Sequence, residues 1–121
     1  MKFSAGARAF VKALNQATEW TAKPDGALFR LSASAVTQSV TIQMFVHDDD
    51  LREEHVPFGK PGHAGVEVAE AGDVFVARGR LANLAPLLYR SRRVSFELGE
   101  DGKIEVASTG WSEKLATQRQ V

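Results

Sequence analysis

Seven side chains able to bind a metal or exchange protons, His47, Asp48, Asp49, Asp50, Glu53, Glu54 and His55, fall within nine consecutive positions. Carboxylates beside imidazoles are donors for a divalent cation. The spacing matches neither the calcium loop, which needs a central glycine, nor the helical motif of two histidines and a glutamate. A solvated acidic loop is the reading these residues favour, and no metal is expected. A second concentration is basic. Arg90-Ser91-Arg92-Arg93 is preceded by Arg80, and Arg8, Lys12 and Lys23 lie near the start of the chain. Arg8 and Lys12 are four apart and so share a helix face. Long cations hold phosphate without reading bases. Charge alone favours an ordinary solvated surface for the same residues, and the Arg90–Arg93 cluster could instead neutralise the acidic loop.

Other chemistries find no footing. Gly59-Lys60-Pro61-Gly62 lacks the Gly-Lys-Ser/Thr ending of a phosphate-binding loop, and a proline follows its lysine. There is no Gly-x-Ser-x-Gly, and the three histidines have no evident serine and aspartate companions. With no cysteine, disulfides, thiolate metal sites and cysteine nucleophiles are excluded. The expectation is a protein without a catalytic set and without a cofactor, not an enzyme. Trp20 and Trp111 read as core or interface anchors rather than stacking platforms.

The chain has 121 residues, 44% of them apolar and 25% charged. That is enough to bury a core without disulfide or metal, and residues 1–121 read as a single domain. No apolar run reaches the ~20 residues of a membrane span, and Met1-Lys2-Phe3-Ser4 lacks the apolar stretch of a signal peptide. A soluble, cytoplasmic protein is expected. The formal net charge is zero, but residues 1–45 carry +3, 46–75 carry −6 and 76–121 carry +3. Segregation of this kind can create a basic face on a neutral protein.

The elements that must position these groups follow from periodicity. Lys2–Ser4 is extended. Residues 6–20 read as a helix, with Phe10, Val11, Leu14 and Ala17 on one stripe, before a turn at Pro24-Asp25-Gly26. Alternation through Phe29, Leu31 and Ala33, and again through Val40, Ile42, Met44 and Val46, predicts a hairpin around Val36-Thr37-Gln38. Residues 47–64, with Pro57, Gly59, Pro61 and Gly62, read as a long loop. Strands follow at Gly65–Ala71 and around Val74–Val76. A second helix over 80–90 uses Leu81, Leu84 and Leu88; Pro86 makes it short or kinked unless it lies near the start. Strands at Val94–Leu98 and Ile104–Val106 flank a tight turn at Glu100-Asp101-Gly102, and a last strand runs from Trp111 to about Thr117. The order βαββββαβββ is an α+β domain, with two helices on one face of antiparallel strands.

These residues in this order resemble one domain, the first, of the bacterial DNA polymerase III beta subunit, the sliding clamp. The resemblance rests on Met1-Lys2-Phe3 leading to Phe10-Val11 and Leu14, on Gly72-Asp73-Val74-Phe75-Val76-Ala77 entering Leu81, Leu84, Leu87 and Leu88, and on Val94-Ser95-Phe96-Glu97, an acidic-glycine turn and Ile104-Glu105-Val106-Ala107-Ser108. It covers nearly the whole chain, through core patterns more than chemical motifs. In that family six such domains, three per subunit, close a ring around duplex DNA, with helices lining the hole. The resemblance implies a DNA-clamp-like domain that binds double-stranded DNA without sequence preference. It implies DNA contact by Arg8, Lys12, Lys23, Arg80, Arg90, Arg92 and Arg93, and a DNA polymerase or clamp loader as possible partner. The alternative is a clamp-fold interaction module that does not encircle DNA. One domain cannot surround a duplex, so a homo-oligomer is expected, a hexameric ring by preference and a dimer otherwise. Its joints are expected at edge strands through Val66 and Val68 and through Trp111 and Leu115.

Overall fold

Among the described residues there are nine strands, most of them where the sequence alternates with period two. In chain order the elements are β1 (Lys2–Gly6), α1 (Ala7–Thr18), β2 (Leu28–Ser34), β3 (Ser39–His47), β4 (Asp50–Val56), β5 (Val66–Glu70), β6 (Gly72–Ala77), α2 (Ala85–Tyr89), β7 (Arg93–Leu98), β8 (Lys103–Ser108) and β9 (Trp111–Gln118). This computed structural model describes residues 1–18, 28–47, 50–56, 65–77, 80–81 and 83–118. Trp20, Lys23, the turn at 24–26, Asp48, Asp49 and the stretch 59–62 lie outside the described residues.

All pairings are antiparallel, and the strand order is β4-β3-β2-β6-β9-β8-β7-β1-β5. Two of the strand expectations need correction. Part of the acidic stretch read as a loop is a strand. β4 pairs with β3 from Val40↔Val56 to His47↔Asp50. A strand at the end of a sheet needs only one neighbour, and charged residues are at home there, so its polarity disguised it. The last strand, expected at an edge, lies inside the order, although β6 meets it only at its C-terminal end. β9 pairs with β8 from Trp111 to Ala116 and with β6 at Thr117 and Gln118. The ends of the sheet are β4 and β5.

The predicted stripes form the core. On α1, Phe10, Val11 and Leu14 are buried while Arg8, Lys12 and Asn15 are exposed. The helix lies against α2 and against β3 and β4. Phe96 of β7 stacks on Phe3 of β1 with centroids 4.7 Å apart and meets Phe10 of α1 at 4.8 Å, so three rings join sheet to helix. The second helix is shorter than the expected 80–90 span and begins only at Ala85. Proline sits in its first turn, where a missing N–H costs nothing. Leu81, Leu84 and Leu88 are buried, and Leu87 is exposed. The turn between β2 and β3 places Gln38 at φ 51°, and the turn between β7 and β8 places Gly102 at φ 79°. The second is also held by Asp101, whose Oδ1 accepts the Lys103 N–H at 3.0 Å.

On the outward side of β2 and β6, Arg30 donates to Asp73 at 3.0 Å and to Gln43 at 3.3 Å. Ser32 stands directly across the ladder from Asp73. Its buried Oγ has no partner of hydrogen-bond geometry. Even so, the hydroxyl beside Asp73 is the leading influence holding that carboxyl below its ordinary value, with Arg30 adding to it against the cost of burial. A depressed carboxylate stabilises the fold above its unfolded pKa of roughly 3.9, and the contribution fades as acid titrates the folded group. The pair is half-exposed, so Asp73→Asn should lower the melting temperature by a few degrees at most at pH 7. The gap should close in strong acid. Melts at pH 7 and pH 2.5 check it, and a gap that widens in acid would reverse the assigned sign.

Candidate nucleic-acid interface

The basic residues of the two ends of the chain meet through backbone pairing. Gly6, the last residue of β1, stands opposite Arg93, the first of β7. The N–H of Ala7, which opens α1, donates to the Arg92 carbonyl at 3.0 Å. These links bring the start of α1, with Arg8, to the segment that leaves α2, with Arg90, Arg92 and Arg93. Lys12 lies one turn further along the same helix face. Arg8, Lys12, Arg80, Arg90 and Arg92 are exposed, and Arg93 is half-buried, donating to Ser4 Oγ at 3.0 Å. Lys23 is among the residues not described. No ion pair among the described residues involves Arg90 or Arg92.

The exit from α2 also has a cavity of about 440 Å³, lined by Leu87, Arg90, Ser91, Arg92, Arg93, Ser108, Thr109 and Trp111. Trp111 is partly buried against the core. Its indole N–H donates to Ser91 Oγ at 3.2 Å, and that hydroxyl donates to the Leu87 carbonyl at 3.0 Å. Ser108 Oγ donates to the Arg93 carbonyl at 2.6 Å, tying β8 to the start of β7. Sequence reasoning found the arginines and missed the hydroxyls and the tryptophan beside them. Only the dipeptide Arg90-Ser91 hinted at a mixed site, whereas Ser108 and Trp111 arrive from a different hairpin.

The residues expected at oligomer joints fare differently. Val66 and Val68 are on β5, an end strand, but their side chains are buried. The outer edge of β5 is occupied at its centre. Gln38 Oε1 accepts the Val68 N–H at 2.8 Å, and Gln38 Nε2 donates to the Val68 carbonyl at 3.0 Å. Leu115 is 4% exposed and belongs to the core, so its side chain cannot form a joint. A carboxylate introduced by Leu115→Asp would be buried and would report on folding instead of assembly. Trp111 faces the basic cavity. Of the acidic cluster, His47 closes β3 opposite Asp50, and Glu53, Glu54 and His55 continue along β4.

This antiparallel sheet with two helices has the fold of one DNA sliding-clamp domain. The chain is similar to the C. crescentus beta sliding clamp, with a TM-score of 0.75 and 13% identity over 98% of this chain and 30% of that one. It is similar to the DNA polymerase sliding clamp from Bacillus subtilis, at TM-score 0.75 and 15% identity over 98% and 31% of the two chains. For DNA polymerase III subunit beta from Borrelia burgdorferi the values are 0.75 and 6%, over 99% and 30%. The chain therefore spans about 30% of the length of the clamps it matches. No protein-family model matches it, and no curated protein matches its sequence. Among the described residues, no helix is long and apolar enough to cross a membrane.

Proposed function

We propose that this chain is a clamp or clamp-like processivity subunit that binds double-stranded DNA without sequence preference and tethers a polymerase. The observation that carries the reading is the meeting of exposed cations from the start of α1 and the exit of α2, Arg8, Arg90 and Arg92, on a clamp-domain fold. Arg80, Lys12, Lys23 and Arg93 complete the proposed DNA-contacting set. Contacts of this type neutralise phosphates and leave the protein free to slide. No catalytic step and no cofactor is part of the reading. A DNA polymerase or clamp loader is the proposed protein partner, and the cytoplasm the proposed compartment.

Encirclement by this chain requires several copies, a hexameric ring by preference or a dimer. The β4 end of the sheet and the exposed backbone of β9 beside Trp111 are the proposed joints, in place of the Val66, Val68 and Leu115 side chains. The second reading, an interaction module that does not encircle DNA, draws on the Gln38 cover over β5, which removes one edge from strand addition.

The test is binding to duplex DNA as salt is varied. Arg90→Ala with Arg92→Ala should weaken binding and reduce the slope of log K against log[salt] by roughly 2. Alanine at Asp48, Asp49 and Asp50 should not weaken it. Equal loss from both sets would defeat the face assignment, and no binding to linear or circular duplex at low salt would defeat the clamp reading. Light scattering at micromolar concentration separates ring from module. A monomer with and without DNA leaves only the module.

A further inference from the structure

The cavity at the exit of α2 has more than a phosphate-binding surface needs. Phosphate contact requires cations at the surface and no enclosed space. Here the arginines line a half-open hollow of about 440 Å³, with an indole as one wall and exposed Leu87 at another. Among the described residues, no carboxylate lines it. The Ser91 hydroxyl fixes the indole by accepting its N–H, so the ring is preorganised rather than mobile. Thr109 and Gly110 form the turn that brings Trp111 back to the cavity, with Gly110 at φ 89°, a conformation that favours glycine.

From this arrangement the geometry points to a site for one unpaired nucleotide of single-stranded DNA, its base against Trp111 and its phosphates on Arg90 and Arg92. Single-strand sites combine a cationic track with an aromatic platform, because every base has a π-face. A duplex keeps its bases stacked inside a convex surface of phosphates, so a base reaches an indole inside a cavity only after leaving the stack. The cavity volume falls in the range of sites for small ligands. An acidic peptide with an apolar anchor would satisfy the arginines and Leu87, but an indole with its N–H already engaged offers a flat face and no polar handle, which suits a base better. This inference rests on the proposed nucleic-acid role of the same arginines and extends it from paired to unpaired DNA.

The test uses the full chain carrying Trp20→Phe, so that Trp111 is the sole tryptophan emitter. It is titrated with a short oligothymidylate and, separately, with a blunt duplex of the same length. Oligothymidylate should quench Trp111 emission. Read by the anisotropy of fluorescently labelled oligonucleotides, Trp111→Ala should weaken single-strand binding by about tenfold, as loss of one stacked base predicts, while leaving duplex binding within about twofold. Trp111→Phe should restore most of the loss. Arg92→Ala, an exposed position, provides a variant that does not depend on the tryptophan for folding, and it should weaken the binding of both ligands. Duplex binding that needs the arginines, with single-strand binding indifferent to Trp111, overturns the cavity site and leaves the clamp reading standing. Single-strand binding and quenching without duplex binding supports the site and overturns the clamp reading. Binding to neither overturns both. Quenching by an acidic, leucine-containing peptide and not by oligothymidylate makes the cavity a protein-docking site and overturns the inference.

Discussion

Phe96→Ala should destabilise the domain by about 3–5 kcal/mol, the range for removing a fully buried aromatic ring from a core that collapses only partly. Phe96 has no exposed surface, and its ring touches Phe3 and Phe10 at centroid distances of 4.7 and 4.8 Å. The lost ring therefore opens a void where β1, β7 and α1 meet. Domains of this size are stable by only about 5–15 kcal/mol, so the variant should lie close to unfolding at 37 °C. Urea denaturation checks it through a lower midpoint at unchanged slope. Phe96→Leu keeps most of the volume and should cost less than half as much. A loss under about 1 kcal/mol for the alanine variant would show that the three rings do not form the joint described.

Gln38→Ala has the second-largest expected effect and a different character. Its side chain makes three hydrogen bonds, to Ala35 O, Val68 O and Val68 N, and the last two close the outer edge of β5. Their removal should cost about 1–3 kcal/mol, limited because water can reach the freed groups. Gln38→Glu keeps the acceptor for the Val68 N–H and loses the donor, so its stability should fall between the parent and the alanine variant. The open edge has a further consequence. An unpaired strand end recruits other strands, so Gln38→Ala should self-associate more strongly with rising concentration than the parent. Sedimentation at several concentrations reads this directly. An alanine variant with parental stability and parental mass would mean that Gln38 does not close that edge.

Much of this architecture is local and was legible before any coordinates. Phe10, Val11 and Leu14 recur at helical spacing, and all three are buried. Phe29, Leu31, Val40 and Ile42 alternate, and all four are buried. Pro86 announced a short helix, and Glu100-Asp101-Gly102 a tight turn with glycine at positive φ. Helix and strand periods arise within a few residues of backbone, so a sequence displays them directly. The clamp likeness was legible through the same patterns, because order and spacing of core residues are what a fold without chemical motifs has to offer.

Only the tertiary structure decided which strands are neighbours. β4 is rich in charge and lacks a clear apolar stripe, and it is a strand because β3 presents a ladder to it. β9 reads like any amphipathic strand, and its place between β8 and β6 depends on partners drawn from both halves of the chain. The Gln38 cover over Val68 joins residues 30 positions apart through a side-chain amide, for which no periodicity exists. The same holds for the basic site. The identities of Arg8, Arg92 and Trp111 were plain from the start, but their convergence depends on Gly6 pairing with Arg93 and on the β8–β9 turn returning to α2. Residue types and local periods belong to short stretches of chain, whereas the register between distant strands is set by how the whole core buries its apolar faces at once.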